Sequence, residues 1–94
     1  MKRTESMDRL FQTILNLQTI DECYAYFEDL CTIKELQAMS QRFRVACLLD
    51  GGSNYIEVSE ATGASSATIS RVNRCLNYGG GYRMALDNLK KAGN

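Results

Sequence analysis

Histidine and proline are both absent from this chain of 94 residues. Without histidine, the sequence lacks the most common general base and the most common metal ligand, so the cysteines have no obvious activating partner. No apolar run approaches the roughly 18 residues that a membrane-spanning helix needs, and the polar start gives no sign of a signal peptide. We therefore expect a cytoplasmic protein that is not an enzyme, binds no metal and needs no cofactor.

Charge and cysteine content place the chain among ordinary soluble domains. The 11 basic residues balance the 11 acidic residues, so there is no overall polybasic signal. The length predicts one domain, residues 1–94. The cysteines contain no Cys-x-x-Cys pair and each falls on an apolar helical stripe, which favours reduced thiols buried as small hydrophobic side chains. They are Cys23, Cys31, Cys47 and Cys75.

Apolar residues recur at helical spacing along nearly the whole chain, which predicts six helices and an all-α fold. Thr19 with Glu22 and Thr32 with Glu35 have the spacing of capping boxes, which would open the second and third helices. Gly51-Gly52 would end the third helix, because glycine readily adopts the left-handed conformation found at helix ends.

The predicted helices fall into three groups along the chain. Residues 1–50 would hold the first three helices, and the apolar stripe from Leu10 to Leu17 has little local surface to pack on. Because six short helices bury only a modest core, we expect a homodimer that shares these N-terminal helices. Residues 54–77 would form a helix pair, capped by Ser53 or Asn54, and residues 82–91 the last helix.

The helix pair has the internal spacing of a helix-turn-helix. Gly63 supplies the residue that tolerates the positive φ of a tight turn, and Ser59 supplies a small residue where the two helices would touch. Apolar residues also fall at the offsets from the turn that face inward. They are Val58, Ala64, Ile69 and Val72.

The second helix of this pair, opened by a serine cap, separates into two faces at about 100° per residue. Ile69, Val72 and Leu76 form a narrow apolar edge. The outward face carries small, hydroxyl and arginine side chains, which suit base edges and phosphate oxygens of double-stranded DNA. The predicted DNA-contacting residues are Ser65, Ser66, Ala67, Thr68, Ser70, Arg71 and Arg74.

The charges support this reading, because no acid occurs from Ala61 to Leu86 while Arg71, Arg74 and Arg83 do. A polarised molecule can present such a basic face to phosphates. The alternative is that these arginines only solvate a helix face and that the motif docks onto a protein partner as an adaptor. A protein partner usually requires an aromatic or aliphatic anchor, and the outward face has none.

The residues that carry these features resemble a known family. The segments LCTIKEL (30–36), QR (41–42) and TGASSATISRVNRCLNYG (62–79) resemble the Trp repressor, and more closely the Trp-repressor-like YerC/YecD branch of bacterial regulators. The resemblance implies a six-helix, intertwined homodimer with one helix-turn-helix per protomer. The hexad 67–72 also resembles the recognition helix of lac-repressor-type proteins. Both likenesses imply a sequence-specific transcriptional regulator, which we expect to be a repressor on a palindromic operator.

The two likenesses imply different roles for Arg71. Its lac-type equivalent faces bases, whereas its Trp-repressor equivalent holds the carboxylate of bound tryptophan. Thr32 and Arg42 match other ligand positions of that repressor, so Thr32, Arg42 and Arg71 form the candidate effector pocket. Val72, however, replaces the glycine that makes room for the ligand's ring, and Cys75 replaces a pocket serine. Overpacking costs about 1–3 kcal/mol, so we expect that any small-molecule effector is one other than tryptophan and leave its identity open; a tryptophan-responsive repressor is the alternative.

Two of these pocket residues also have simple structural roles open to them. Thr32 could serve only as the N-cap of the third helix. Arg42 could pair with an acid such as Glu35 or Glu57.

Overall fold

The computed structural model describes residues 1–93, and this range contains six helices and no strand. The all-α prediction is therefore confirmed. The last two helices differ by one residue from the predicted bounds. None of the helices in the described range is long and apolar enough to cross a membrane. The helices are α1 (Glu5–Leu15), α2 (Ile20–Leu30), α3 (Ile33–Asp50), α4 (Tyr55–Thr62), α5 (Ser66–Tyr78) and α6 (Gly81–Lys91).

The chain divides into two compact units, Met1–Ile33 and the part from Lys34 onward. In the first unit, the hydroxyls of Thr13 and Tyr26 share a hydrogen bond of 2.7 Å that joins α1 to α2. At the start of α2, the Glu22 amide donates to the side chain of Thr19 at 3.0 Å, as predicted.

The other half of that capping box differs from the prediction. The Glu22 carboxylate accepts from the backbone N–H of Gln18 at 2.8 Å, one residue before Thr19. The carboxylate therefore binds the backbone N–H of the residue before the N-cap, and not that of Thr19 itself.

The apolar stripes of the first unit are uncovered in the single chain. Neither α1 nor α2 contains a buried residue, and 81% of Leu15 is exposed. Cys23 and Cys31 are accordingly only half-buried, as is Cys47, and Cys75 is exposed on α5. The prediction of buried thiols is thus wrong for the single chain, because a helical stripe shows which way a side chain points and not what covers it. All four thiols are free.

The second unit has a small hydrophobic core that joins the helix-turn-helix to α3. Val45 and Ala46 of α3 are fully buried. They pack with residues of α4, the turn and α5, and Leu48, Leu49 and Tyr82 lie against this cluster. The α4–α5 members of the core are Val58, Ala64, Ile69 and Val72.

Ion pairs attach α6 to the end of α3. Asp50 accepts hydrogen bonds from Arg83 at 2.6 Å and from Lys90 at 3.0 Å, and Arg83 also lies 3.5 Å from Asp87. Hydrogen bonding to Arg83, and then to Lys90, lowers the pKa of Asp50 from 3.8 to about 2. The positive charge of Arg83 is therefore compensated by acids of the same chain, which corrects its inclusion among the basic residues open to phosphates.

Candidate nucleic-acid interface

The first helix of the helix-turn-helix, α4, is fixed at its start by a complete capping box. The side-chain oxygen of Asn54 accepts from the backbone N–H of Glu57 at 2.9 Å, and the Glu57 carboxylate accepts from the backbone N–H of Asn54 at 3.0 Å. Asn54, rather than Ser53, is therefore the cap, and a carboxylate oxygen of Glu57 is engaged by the backbone.

The turn between α4 and α5 is built around Gly63, which has φ 72° and ψ 7°. Its amide donates to the carbonyl of Ser59 at 2.9 Å and so closes the last turn of α4. The Thr62 hydroxyl donates to the carbonyl of Val58 at 2.7 Å and accepts from the Ala64 amide at 3.2 Å. These bonds hold the backbone on both sides of the turn. The positive φ of Gly63 confirms the role predicted for this glycine.

Gln41 of α3 also supports the turn. Its side-chain amide donates to the carbonyl of Thr62 at 3.2 Å, across 21 positions of sequence. Carbonyls in the last turn of a helix have no intrahelical donor, so Gln41 supplies the partner that this one needs. In the sequence, Gln41 stands out only as part of the family resemblance, and no local pattern predicts this contact.

The predicted inward-facing residues are buried. Val58 is 0% exposed, Ala64 3%, and Ile69 and Val72 1% each. Leu76, the third member of the apolar edge of α5, is 7% exposed. The orientation of α5 predicted from its apolar edge is therefore confirmed.

The N-terminus of α5 is capped by Ser65. Its hydroxyl accepts from the Thr68 amide at 3.2 Å and lies 3.1 Å from the Thr68 hydroxyl, to which it donates. The single proton of Ser65 is thereby used, whereas the proton of the Thr68 hydroxyl remains free for an external acceptor. The first turn of α5 contains no acid, so nothing within it offsets the partial positive charge of the helix N-terminus.

The outward face of α5 is open to solvent. Its three small or hydroxyl residues and both arginines are exposed. Arg71 and Arg74 form no ion pair with any residue in the described range 1–93, so their guanidinium groups are available to external acceptors. The exposed residues are Ser66, Ala67, Ser70, Arg71 and Arg74.

The residues of the candidate effector pocket have different surroundings. Thr32 is exposed just before α3, and Arg42 is half-buried within it. No ion pair of Arg42 is found within residues 1–93, so the predicted pairing with an acid is absent from the single chain. Val72, one residue after Arg71, belongs to the hydrophobic core and is 1% exposed.

Comparison with known proteins gives consistent matches over nearly the full chain. The model of the Trp repressor protein family matches residues 5–90. YerC, an uncharacterised protein of Bacillus subtilis (strain 168), is 52% identical over 90 residues, which cover 95% of this chain and 86% of YerC.

Two solved structures share the fold. A TrpR-like protein from Eubacterium eligens is 50% identical with a TM-score of 0.90, covering 94% of this chain and 92% of its own. A structure of Trp-repressor type from Staphylococcus aureus is 45% identical with a TM-score of 0.89, covering 94% of this chain and 89% of its own. The chain therefore belongs to the Trp repressor family.

Proposed function

We propose that this protein is a sequence-specific regulator of transcription, a repressor that binds a palindromic operator in double-stranded DNA through its helix-turn-helix. The observation that carries the proposal is the division of α5. One edge is buried in the core, while the opposite face exposes two unpaired arginines among small and hydroxyl side chains. Membership of a family of DNA-binding regulators, rather than of enzymes, supports the same function.

The side chains of α5 would divide the work of binding. Ser66 and Ala67 are small and lie at the helix start, so the backbone can approach base edges closely. Arg71 would read a guanine through O6 and N7, and Arg74 would bind phosphate. The free proton of Thr68 suits a phosphate oxygen.

The remaining two residues have simpler roles. Ser70 lies on the same open face as the arginines and can bond a base edge or a phosphate. Ser65 has its hydroxyl proton engaged by Thr68, so its contribution would be to hold the first turn of α5 in place for an incoming phosphate.

We propose that the protein is a homodimer, and the uncovered stripes of the first unit support this. Large apolar side chains are exposed there, among them Leu15 (81%), Ile20 (74%) and Tyr24 (65%), and exposed patches of this kind mark association surfaces in soluble proteins. A two-fold axis would place two copies of α5 in successive major grooves, with half-site centres about 34–36 Å apart.

Any effector of this regulator would differ from tryptophan. Val72 is 1% exposed and packs in the core. A ring entering beside Arg71 would therefore have to displace a buried β-branched side chain. We propose that an effector held by the candidate pocket residues is a small molecule other than tryptophan.

The test is selection of bound fragments from random duplex DNA, in parallel with and without tryptophan. The proposal predicts an enriched sequence with dyad symmetry and the same enrichment in both arms. Absence of any enriched duplex would overturn the DNA-binding function and favour the adaptor. Enrichment only with tryptophan would instead establish a tryptophan-responsive repressor.

A further inference from the structure

An open cleft lies between one face of α4 and the start of α5. It adjoins the outward face of α5, which is the predicted reading face for DNA. Its volume is about 400 Å³. Tyr55 and Ile56 form its apolar side, and Ile69 contributes from α5. Ser66 lines the cleft and also belongs to the outward face of α5, so the cleft and the reading face are continuous.

Glu60 is the one charged residue among those that line this cleft. It is exposed, and within residues 1–93 its carboxylate takes part in no hydrogen bond or ion pair of the structure. Other acids of the second unit are engaged: Glu57 caps α4, and Asp50 binds Arg83 and Lys90. Glu60 is thus a free negative charge at the edge of a face that is otherwise neutral or basic.

A carboxylate at this position cannot bind the DNA backbone. An ionised carboxyl group only accepts hydrogen bonds, and phosphates repel it. In the major groove, however, the exocyclic amino group of cytosine is a donor, and glutamate is a recognised partner for it. Cytosine presents only that donor, whereas adenine adds the N7 acceptor beside its amino group, which opposes the second carboxylate oxygen.

We infer that Glu60 is a specificity-determining residue that reads a cytosine amino group at one position of each half-site. The inference rests on the proposed function. The apolar side of the cleft, formed by Tyr55 and Ile56, would lie against the same base pair and limit the access of water. Glu60 would contribute little to total affinity, because its charge opposes the phosphates while its hydrogen bond favours a single base.

The test compares base preference in selections with the parent, Glu60→Gln and Glu57→Gln. Glutamine prefers adenine, through N6 and N7, so Glu60→Gln should change one symmetric pair of positions from cytosine to adenine. The parent should favour cytosine there by about fivefold or more over the other bases. Glu57→Gln removes the same charge from the same helix and keeps an oxygen that can cap Asn54, so its profile should match that of the parent.

The outcomes separate this inference from the function on which it rests. An enriched dyad whose bases are unchanged by Glu60→Gln would overturn the role of Glu60 and leave DNA binding intact. The same change of base with Glu57→Gln would also overturn it, because the cause would then be net charge. No enrichment with the parent would remove the proposed function itself.

Discussion

Replacement of Arg74 by alanine separates a phosphate contact from a structural role. Arg74 is exposed on α5 and unpaired within residues 1–93, so its removal leaves no buried group without a partner. We therefore expect the free energy of unfolding to change by no more than about 0.5 kcal/mol, as for ordinary surface substitutions. The effect should appear in DNA binding alone.

The salt dependence of binding gives the magnitude. Each phosphate contact contributes about 0.9 to the slope of log K against log salt concentration. A dimer that loses Arg74 from both protomers loses two contacts, so the slope should fall by about 1.8. Between 50 and 200 mM salt, a fourfold range, the advantage of the parent over the variant should therefore shrink by about tenfold.

Fluorescence anisotropy with the selected operator and with a random duplex of equal length measures these slopes. Arg74→Ala should weaken binding to both duplexes alike. Arg3→Ala, which removes an equal charge from the exposed N-terminal segment, serves as the control. An unchanged slope with Arg74→Ala, or a slope reduced equally by Arg3→Ala, would refute the assignment of Arg74 to phosphate.

Arg71→Ala provides the contrasting case in the same assay. If Arg71 reads a base, its loss should cost about 1–3 kcal/mol on the operator and little on random DNA. Equal losses on both duplexes would place Arg71 among the phosphate contacts instead.

Three further predictions concern the scaffold. Gly63→Ala should lower the free energy of unfolding in urea by about 1–2 kcal/mol, and Gly63→Asn by less, because an added Cβ meets no atom within 4 Å and only the positive φ opposes it. The pKa of Asp50 is lowered to about 2, so the contribution of its ion pairs to stability is complete above about pH 4 and is lost as the pH falls towards 2. Over this range, the Tm of the parent should therefore fall further than the Tm of Asp50→Asn. Equal declines in Tm would contradict this. Leu15→Asp should yield monomers in ultracentrifugation, and a persistent dimer would exclude this surface from the association.

The features that the sequence predicts correctly depend on neighbours a few residues apart. The Ser65 cap, the Gly63 turn and the buried edge of Ile69 and Val72 all follow from local spacing, because helical periodicity fixes which side chains share a face. The bounds of α4 follow from the same signals, since a capping residue and a glycine delimit it.

Features that depend on tertiary contacts could not be predicted in this way. Arg83 binds Asp50 across 33 positions, and Gln41 reaches Thr62 across 21. No local pattern distinguishes an arginine that will meet an acid of another helix from one that stays free, as Arg71 does. The predicted burial of Cys75 is wrong for the same reason, because a position on an apolar stripe does not specify which residues pack over it.

We expect the exposed face of α5 to enter the major groove twice, once from each protomer, across a two-fold axis. A crystal structure of the protein bound to its selected operator tests it most directly. In this complex, Arg71 should lie against base edges and Arg74 against phosphate, with half-site centres about 34–36 Å apart. A complex in which DNA lies elsewhere on the protein, or in which the two α5 helices do not share one face of the duplex, would contradict this mode of binding.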